Sequence, residues 1–147
     1  MEWNKFTPLQ KKTPQEIIED AIMGFDKATN DLAHLLLIKK NDLSKVNSRL
    51  NNNFEFELLL YSKYLDGYNF KVFEFGFNID LYPVSVIIEP AIFDQLNYYS
   101  ASRSSVSFET EELFLDCITK IFSSERFKTI TGGVMKIAAK QLENDMI

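Results

Sequence analysis

Residues 54–89 read FEFELLLYSKYLDGYNFKVFEFGFNIDLYPVSVIIE. Apolar and polar residues alternate over three runs in this stretch, and successive side chains of a strand point to opposite faces of a sheet. We therefore predict three consecutive antiparallel strands, joined at Asp66-Gly67 and again between residues 78 and 83. One face of this sheet collects large apolar side chains, namely Phe54, Phe56, Leu58, Leu60, Phe73, Phe75, Phe77, Ile79, Val84, Val86 and Ile88.

Helical patterns precede the predicted sheet. Residues 1–12 form a polar leader in which Trp3 and Phe6 are candidate anchors onto the body of the protein. Thr13 then begins a capping box with Pro at the first helical position. Apolar residues recur at helical spacing up to Lys39-Lys40, and a shorter apolar stripe follows around 42–50. The sequence therefore predicts that residues 14–50 are helical, with Gly24 and residues 29–31 as points where the first helix bends or breaks.

Helical patterns also follow the sheet. After a short helical or edge segment at 91–96 and a serine-rich stretch at 100–107, Val106 and Phe108 suggest a short fourth strand. Thr110 then caps a new amphipathic helix, and Ser123-Ser124 separates it from a last one. Residues 110–143 are therefore predicted to be helical. The two glycines at 132–133 are expected to mark a kink, a close helix crossing or a break.

The fold class follows from the apolar face of the sheet, which would aggregate if it were left exposed. Amphipathic helices stand on both sides of it in the sequence and can cover it. We predict one two-layer α+β domain over residues 1–147, with an antiparallel sheet of three to four strands and helices on one face, in the order α-α-β-β-β-(β)-α-α. A length of 147 residues suits a single core. Five side chains should be inaccessible to solvent: Phe73, Phe75, Leu113, Cys117 and Ile121.

The net charge of −5 is concentrated in one part of the chain. Residues 1–50 sum to +1, residues 51–100 to −5 and residues 101–147 to −1. A negative field around the sheet repels phosphate backbones, so we expect no nucleic-acid partner. The single cysteine excludes an intrachain disulfide and a cysteine-based zinc cluster. With no apolar run of about 20 residues, no membrane partner is expected, and the predicted location is the cytoplasm. No motif calls for a cofactor or a metal.

The strongest candidate site is the sheet face opposite the apolar one. Carboxylates and apolar groups alternate there, a mixture that suits binding of a basic protein, whereas the alternative is an ordinary solvated face. The candidate binding residues are Glu55, Glu57, Leu59, Tyr61, Glu74, Ile87 and Glu89.

Two reactive side chains are less promising. His34, the single histidine, lies opposite the apolar stripe of its predicted helix, so we expect it on the surface without an orienting partner. Cys117 lies inside an apolar stripe, which indicates a buried cysteine and not a reactive thiolate. The serine-rich stretch with Arg103 is a candidate mobile loop.

Three functions remain open. A small acidic domain with helices and a bare sheet face is similar in layout to bacterial immunity and antitoxin-type inhibitors, although no motif carries the resemblance. It implies a non-enzymatic protein that neutralises a basic protein partner, and this is our first hypothesis. The alternative is a small chaperone or adaptor, a homodimer, that holds an apolar peptide along its N-terminal helix or a sheet edge. The third is an enzyme with carboxylate or tyrosine chemistry, for which no known catalytic motif is present.

Overall fold

The computed structural model describes residues 1–99 and 104–146. These residues form an α+β fold of one antiparallel sheet with helices, as predicted. The helices are α1 (Pro14–Ile22), α2 (Phe25–Ala28), α3 (Asp42–Lys45), α4 (Pro90–Leu96), α5 (Glu111–Ser123) and α6 (Glu125–Asp145). The strands are β1 (His34–Lys39), β2 (Phe54–Tyr61), β3 (Asn69–Phe77), β4 (Val84–Ile88) and β5 (Ser105–Phe108).

The sheet is a meander in which each strand pairs with its neighbour in the sequence, in the order β1-β2-β3-β4-β5. The three predicted strands are β2, β3 and β4, and the suggested fourth strand is β5, so these predictions are confirmed. The register between β2 and β3 shifts where Leu58 pairs with Phe73 but Leu59 pairs with Lys71. This bulge leaves Val72 as an extra residue, fully buried in the main core instead of on the polar face where strict alternation had placed it.

The hydrophobic core lies between the apolar sheet face and the helices. Phe75 stands at its centre, with its ring centroid 5.2 Å from that of Phe56 and 5.7 Å from that of Phe114 on α5. Phe73, Phe75, Cys117 and Ile121 are at most 1% exposed, as predicted. The same core cluster also includes side chains of α1, α4 and α6: Ile17, Ile18, Ile92, Phe127 and Val134.

Two side chains that we expected in the core are exposed. Ile79 lies beyond the last residue of β3 and is 78% exposed. Leu113 occupies the first turn of α5 and is 51% exposed, because the buried stripe of that helix runs through Phe114, Cys117 and Ile118 instead. Both errors arise at the ends of elements, where a periodic pattern continues in the sequence after the packed surface has ended.

The prediction that residues 14–50 are helical is wrong in its second half. Helix α1 begins at the predicted capping box but ends at Ile22, and Gly24 follows with φ = +85°. After α2, the positive φ angles of Asn30 and Asp31 reverse the chain, and residues 34–39 form strand β1. A short apolar run suits a helix or a strand equally in local sequence. Pairing along the whole length of β1 with β2 decides for the strand.

The segment between β1 and β2 also differs from the prediction. The helix expected around 42–50 is only the four residues of α3. The leader does not anchor to the protein as expected, since Trp3 is 77% and Phe6 80% exposed. Its end is attached by Tyr82, whose hydroxyl donates to the carbonyl of Lys12 at 3.1 Å.

The C-terminal helices agree with the sequence pattern. Ser124 ends α5 and caps α6 through its side chain, as the Ser123-Ser124 break suggested. The glycines at 132–133 lie inside α6, and a Cβ at either would meet no atom of another element within 4 Å, so the expected break and close crossing are not found. Residues 100–103 of the serine-rich stretch, including Arg103, lie outside the described residues. No helix in the described ranges is long and apolar enough to cross a membrane.

Candidate functional site

The sheet face opposite the core carries the candidate site, and the chain itself covers part of it. The connection between β1 and β2, residues 40–53, contacts this face at several points. The backbone N–H of Asn52 donates to Glu55 at 2.8 Å, and the amino group of Lys40 donates to Glu74 at 2.8 Å. We call residues 40–53 the connecting segment.

Glu55 lies beneath the connecting segment and is 1% exposed. We had expected it to face solvent, and the structure contradicts that expectation. Gly76 permits the close packing, because a Cβ there would lie 2.5 Å from Oδ1 of Asn52. Any larger residue at position 76 would therefore push Asn52 away from the sheet. Glu55 is thus buried at a backbone contact and does not present its carboxylate to a partner.

Glu74 forms the most buried ion pair of this face. Its Oε2 accepts from Lys40 at 2.8 Å and from Lys71 at 3.2 Å. The side chain of Lys40 is 8% exposed and that of Glu74 is 11% exposed. Burial alone would raise the pKa of Glu74, but the hydrogen bond from Lys40 and the charges of both lysines outweigh it and lower the pKa. Lys71 also lies 3.7 Å from Glu57.

The other predicted residues occupy the two ends of the face. Glu89 caps α4 by accepting from the N–H of Ile92 at 2.9 Å, and Ile87 is 9% exposed. Leu59 and Tyr61 lie at the opposite end, where they pair with Leu36 and His34 of β1. Four of the seven predicted residues line a shared depression: Glu57, Glu74, Ile87 and Glu89. Glu55, Leu59 and Tyr61 are not among the residues that line it.

This depression, which we call the outer groove, has a basic end between the connecting segment and strands β1 to β3. The cavity there measures about 390 Å³. Four cationic side chains face two carboxylates, so the formal charge of its lining is +2: Lys39, Lys40, Arg49 and Lys71 against Glu57 and Glu74. The expected acidic face is therefore basic at this end of the depression.

The outer groove continues toward β4 and α4 and becomes apolar. Arg49, Lys71 and Glu74 also line the adjoining cavity of about 330 Å³, which extends over Phe73 and Ile87. A third cavity, of about 520 Å³, shares four of these lining residues and reaches the first turn of α4. Because neighbouring cavities share side chains, they form one continuous depression. The apolar residues of this end are Ile87, Ile88, Pro90 and Phe93, and Arg49, Asp94 and Ser104 line it with them.

The positive charge comes from a stretch that the sequence reading had assigned to helices. Residues 39–49, KKNDLSKVNSR, carry Lys39, Lys40, Lys45 and Arg49 against Asp42 alone. In the fold this stretch lies beside the acidic strands. Two apolar side chains of the same stretch project into solvent, since Leu43 is 82% and Val46 73% exposed. The local run of cations before an acidic strand could have revealed this charge in the sequence. Summing the charge over residues 1–50 conceals it, because that sum is only +1.

His34 is buried, not exposed as we expected, and it has an orienting partner. It is 5% exposed, and its Nε2 lies 3.0 Å from Oδ1 of Asp31. Its Nδ1 accepts from the N–H of Lys63 at 3.4 Å, so the ring is the Nε2-protonated tautomer that donates to Asp31. Asp31 also forms an ion pair with the amino group of Lys63, which together with the His34 contact lowers the pKa of Asp31 to about 2. The Nδ1 contact thus joins β1 to the chain just after β2, and the Nε2 contact joins it to the turn before β1.

Asp26, Asp31 and His34 are the one group of potential metal ligands found in the described residues, with ligand atoms within 4.8 Å of one another. Lys63 and Tyr64 already contact Asp31, so a metal would have to displace an ammonium group. Cys117 is fully buried, and burial raises the pKa of its thiol to about 12. The thiol is therefore protonated and unreactive at neutral pH.

The arrangement of the outer groove suits binding. Two of its lysines, Lys40 and Lys71, are paired with Glu74, and Lys71 also lies near Glu57. Its size falls in the range of peptide and small-molecule sites. Comparisons with models of known protein families, with curated proteins and with solved structures find no match to this chain.

Proposed function

We propose that this chain is a non-enzymatic protein-binding domain that uses the outer groove and the connecting segment to bind an acidic protein. The observation that carries the proposal is the charge at the basic end of the groove, where four cations face two carboxylates inside a chain of net charge −5. A cationic concavity on an acidic protein is a local feature that opposite charge on a partner would match. The exposed Leu43 and Val46 add apolar contact area beside it.

This proposal reverses the partner charge that the sequence suggested. An inhibitor of a basic protein would need free carboxylates on the sheet face. Glu55 and Glu89 are instead bonded to backbone N–H groups, and Glu74 is paired with two lysines. The connecting segment thus already occupies two carboxylates of the acidic strands, Glu55 and Glu74, from within the same chain. Inhibition of immunity type stays a prediction, and under the present proposal it would act on an acidic surface. The proposed compartment is the cytoplasm, as the sequence predicted.

The test is capture of partners from the native cell by the wild-type chain and by two charge-reversal variants. Lys71→Glu changes a half-exposed lysine of the outer groove. Lys120→Glu is the matched control, because Lys120 on α5 is 50% exposed against 51% for Lys71 and is likewise paired with a carboxylate. We expect an acidic protein to be captured by the wild type and the control, and to be lost with Lys71→Glu. Its association rate should fall as salt rises, since exposed charges are screened.

Two results would refute the proposal. One is a captured partner that binds the Lys71→Glu variant as tightly as the wild type, and the other is a partner whose binding surface is basic. Circular dichroism of each variant confirms that the fold is retained before binding is compared.

A second candidate is the chaperone or adaptor, and one observation favours it. An apolar groove of about 220 Å³ runs between α6 and residues 65–68, lined by Leu65, Tyr68, Ile130, Gly133, Val134 and Ile137. The long N-terminal helix that we had proposed to hold the peptide does not form, so this groove replaces it. Ile137 is 59% exposed, and Ile137→Asp should abolish client binding if the chain acts in this way.

A further inference from the structure

We propose that the outer groove binds an extended peptide segment that places acidic side chains at the basic end and an apolar side chain at the apolar end. This inference rests on the proposed function, because it specifies the part of the acidic partner that the groove receives. It adds the requirement that the bound segment of the partner carry an apolar side chain as well as acidic ones.

The basic end is preorganised to receive carboxylates. Lys40 is held in place by Glu74, with its side chain 8% exposed, so its ammonium group loses little freedom on binding. Lys71 donates to the same carboxylate oxygen from a half-exposed position. Arg49 lines the cavity beside them. An incoming carboxylate would share these ammonium groups with Glu74 and Glu57 and would offset the +2 charge of the lining.

The apolar end offers a different surface a short distance away. Ile87, Ile88, Pro90 and Phe93 line it, and its charged lining residues are Arg49 and Asp94. Lys39 and Lys40 line the basic end alone, Lys71 reaches the middle cavity but not this one, and Arg49 borders all three cavities. A charged side chain would be poorly placed against this surface, whereas a leucine or phenylalanine would bury apolar area.

The spacing of the two ends defines the length of the peptide. The basic end lies over β1 to β3, and the apolar end lies over β4 and the start of α4. Neighbouring strands are about 4.8 Å apart, so β4 lies roughly 10 Å from β2 and roughly 14 Å from β1. An extended chain advances about 3.3 Å per residue. The acidic and apolar residues of the bound segment should therefore lie about three to five positions apart.

The experiment uses three synthetic peptides with the full-length chain. The first is Glu-Glu-Ser-Ser-Leu-Leu, the second replaces both leucines with serine, and the third replaces both glutamates with lysine. Affinity is measured by isothermal titration calorimetry against the wild type, Lys71→Gln and the matched control Lys120→Gln. A photoreactive leucine in the first peptide reports the position of its apolar end by cross-linking and mass spectrometry.

We expect the first peptide to bind the wild type and the Lys120→Gln control equally. Its affinity should fall on the order of tenfold with Lys71→Gln, and by a similar factor when serine replaces the leucines. The lysine peptide should not bind. Cross-links should fall on the segment from Ile87 to Phe93. These changes are made mostly in the peptide, so misfolding of a variant does not obscure the result.

Three results would overturn the inference. They are equal binding of the leucine and serine peptides, cross-links away from the apolar end, and no binding of the first peptide. None of them decides the proposed function, which depends on whether Lys71→Glu abolishes capture of an acidic protein. If Lys71→Glu abolishes capture but the leucine and serine peptides bind equally well, the proposed function stands and the acidic partner binds by charge alone.

Discussion

At the scale of single residues, Phe75 is the side chain on which the core depends most. It is fully buried, and its ring contacts those of four other phenylalanines: Phe56, Phe73, Phe77 and Phe114. We expect Phe75→Ala to lower the free energy of unfolding by about 3–5 kcal/mol, because it removes buried contacts and leaves a cavity.

Leu113→Ala is the control for this prediction. Leu113 is 51% exposed although it shares a helix with the core residue Phe114, so its truncation should cost less than about 1 kcal/mol. Urea unfolding followed by circular dichroism measures both changes. Equal losses for the two variants would contradict the packing described above.

His34 is the single residue whose position differs most from the prediction, since it was expected on the surface and is buried. On a helix it would have faced water, whereas on β1 it faces Tyr61 across the strand pair, with ring centroids 5.1 Å apart. Its environment was unpredictable because no residue near it in the sequence reveals that β2 will be its neighbour. Asp31, three positions earlier, was visible as a nearby carboxylate, but only the turn at residues 30 and 31 brings it to the ring.

At the scale of elements, two glycines with opposite surroundings provide a direct comparison. Gly76 on β3 lies against Asn52, whereas Gly133 inside α6 has free space where a Cβ would be. We expect Gly76→Ala to destabilise the protein by roughly 1–3 kcal/mol, because Asn52 must move. Gly133→Ala should stabilise it by about 0.5–1 kcal/mol through helix propensity. Thermal unfolding measures both effects, and a stabilising Gly76→Ala would show that the connecting segment does not pack on β3.

The attachment of the connecting segment to the sheet also depends on the pair Lys40–Glu74. Lys40→Met should destabilise the protein by about 1–3 kcal/mol, because Glu74 stays buried with Lys71 as its remaining cation. Adding Glu74→Gln should recover part of this loss, since a neutral amide needs no counter-charge. The measurement is a double-mutant cycle in urea. Strictly additive losses would mean that the two side chains do not interact.

At the scale of the whole molecule, acid should unfold the protein in a definite pH window. Both Asp31 and Glu74 have pKa values below their ordinary values of 3.8 and 4.5, that of Asp31 falling to about 2. A carboxylate with a lowered folded-state pKa stabilises the fold above its unfolded pKa, and this contribution is lost as the pH falls through the folded-state pKa. The melting temperature should therefore begin to fall near pH 4.5 and continue falling toward pH 2. Glu74→Gln should reduce the slope in this window, and an unchanged slope would exclude Glu74 as a cause.

The distribution of charge over the whole molecule reverses the first interpretation of the site. Summed over thirds of the sequence, the sheet is acidic and invites a basic partner. Folding places the cationic residues 39–49 beside the acidic strands, and the basic end of the outer groove becomes positive. The acidic composition of residues 51–100 is correct, but the charge of a surface also depends on the residues that folding brings beside it.

The sequence by itself determined the three central strands, the capped starts of α1 and α5, the division at Ser124 and the aromatic core. Each of these depends on local periodicity or on a capping side chain a few residues away. Only the tertiary structure decided that residues 34–39 form an edge strand, that His34 and Glu55 are buried, and that Lys40 meets Glu74 across 34 residues. The reason is physical. A short apolar run and a buried charged side chain are stabilised by partners that are distant in the sequence. Those partners come into contact only when the sheet assembles.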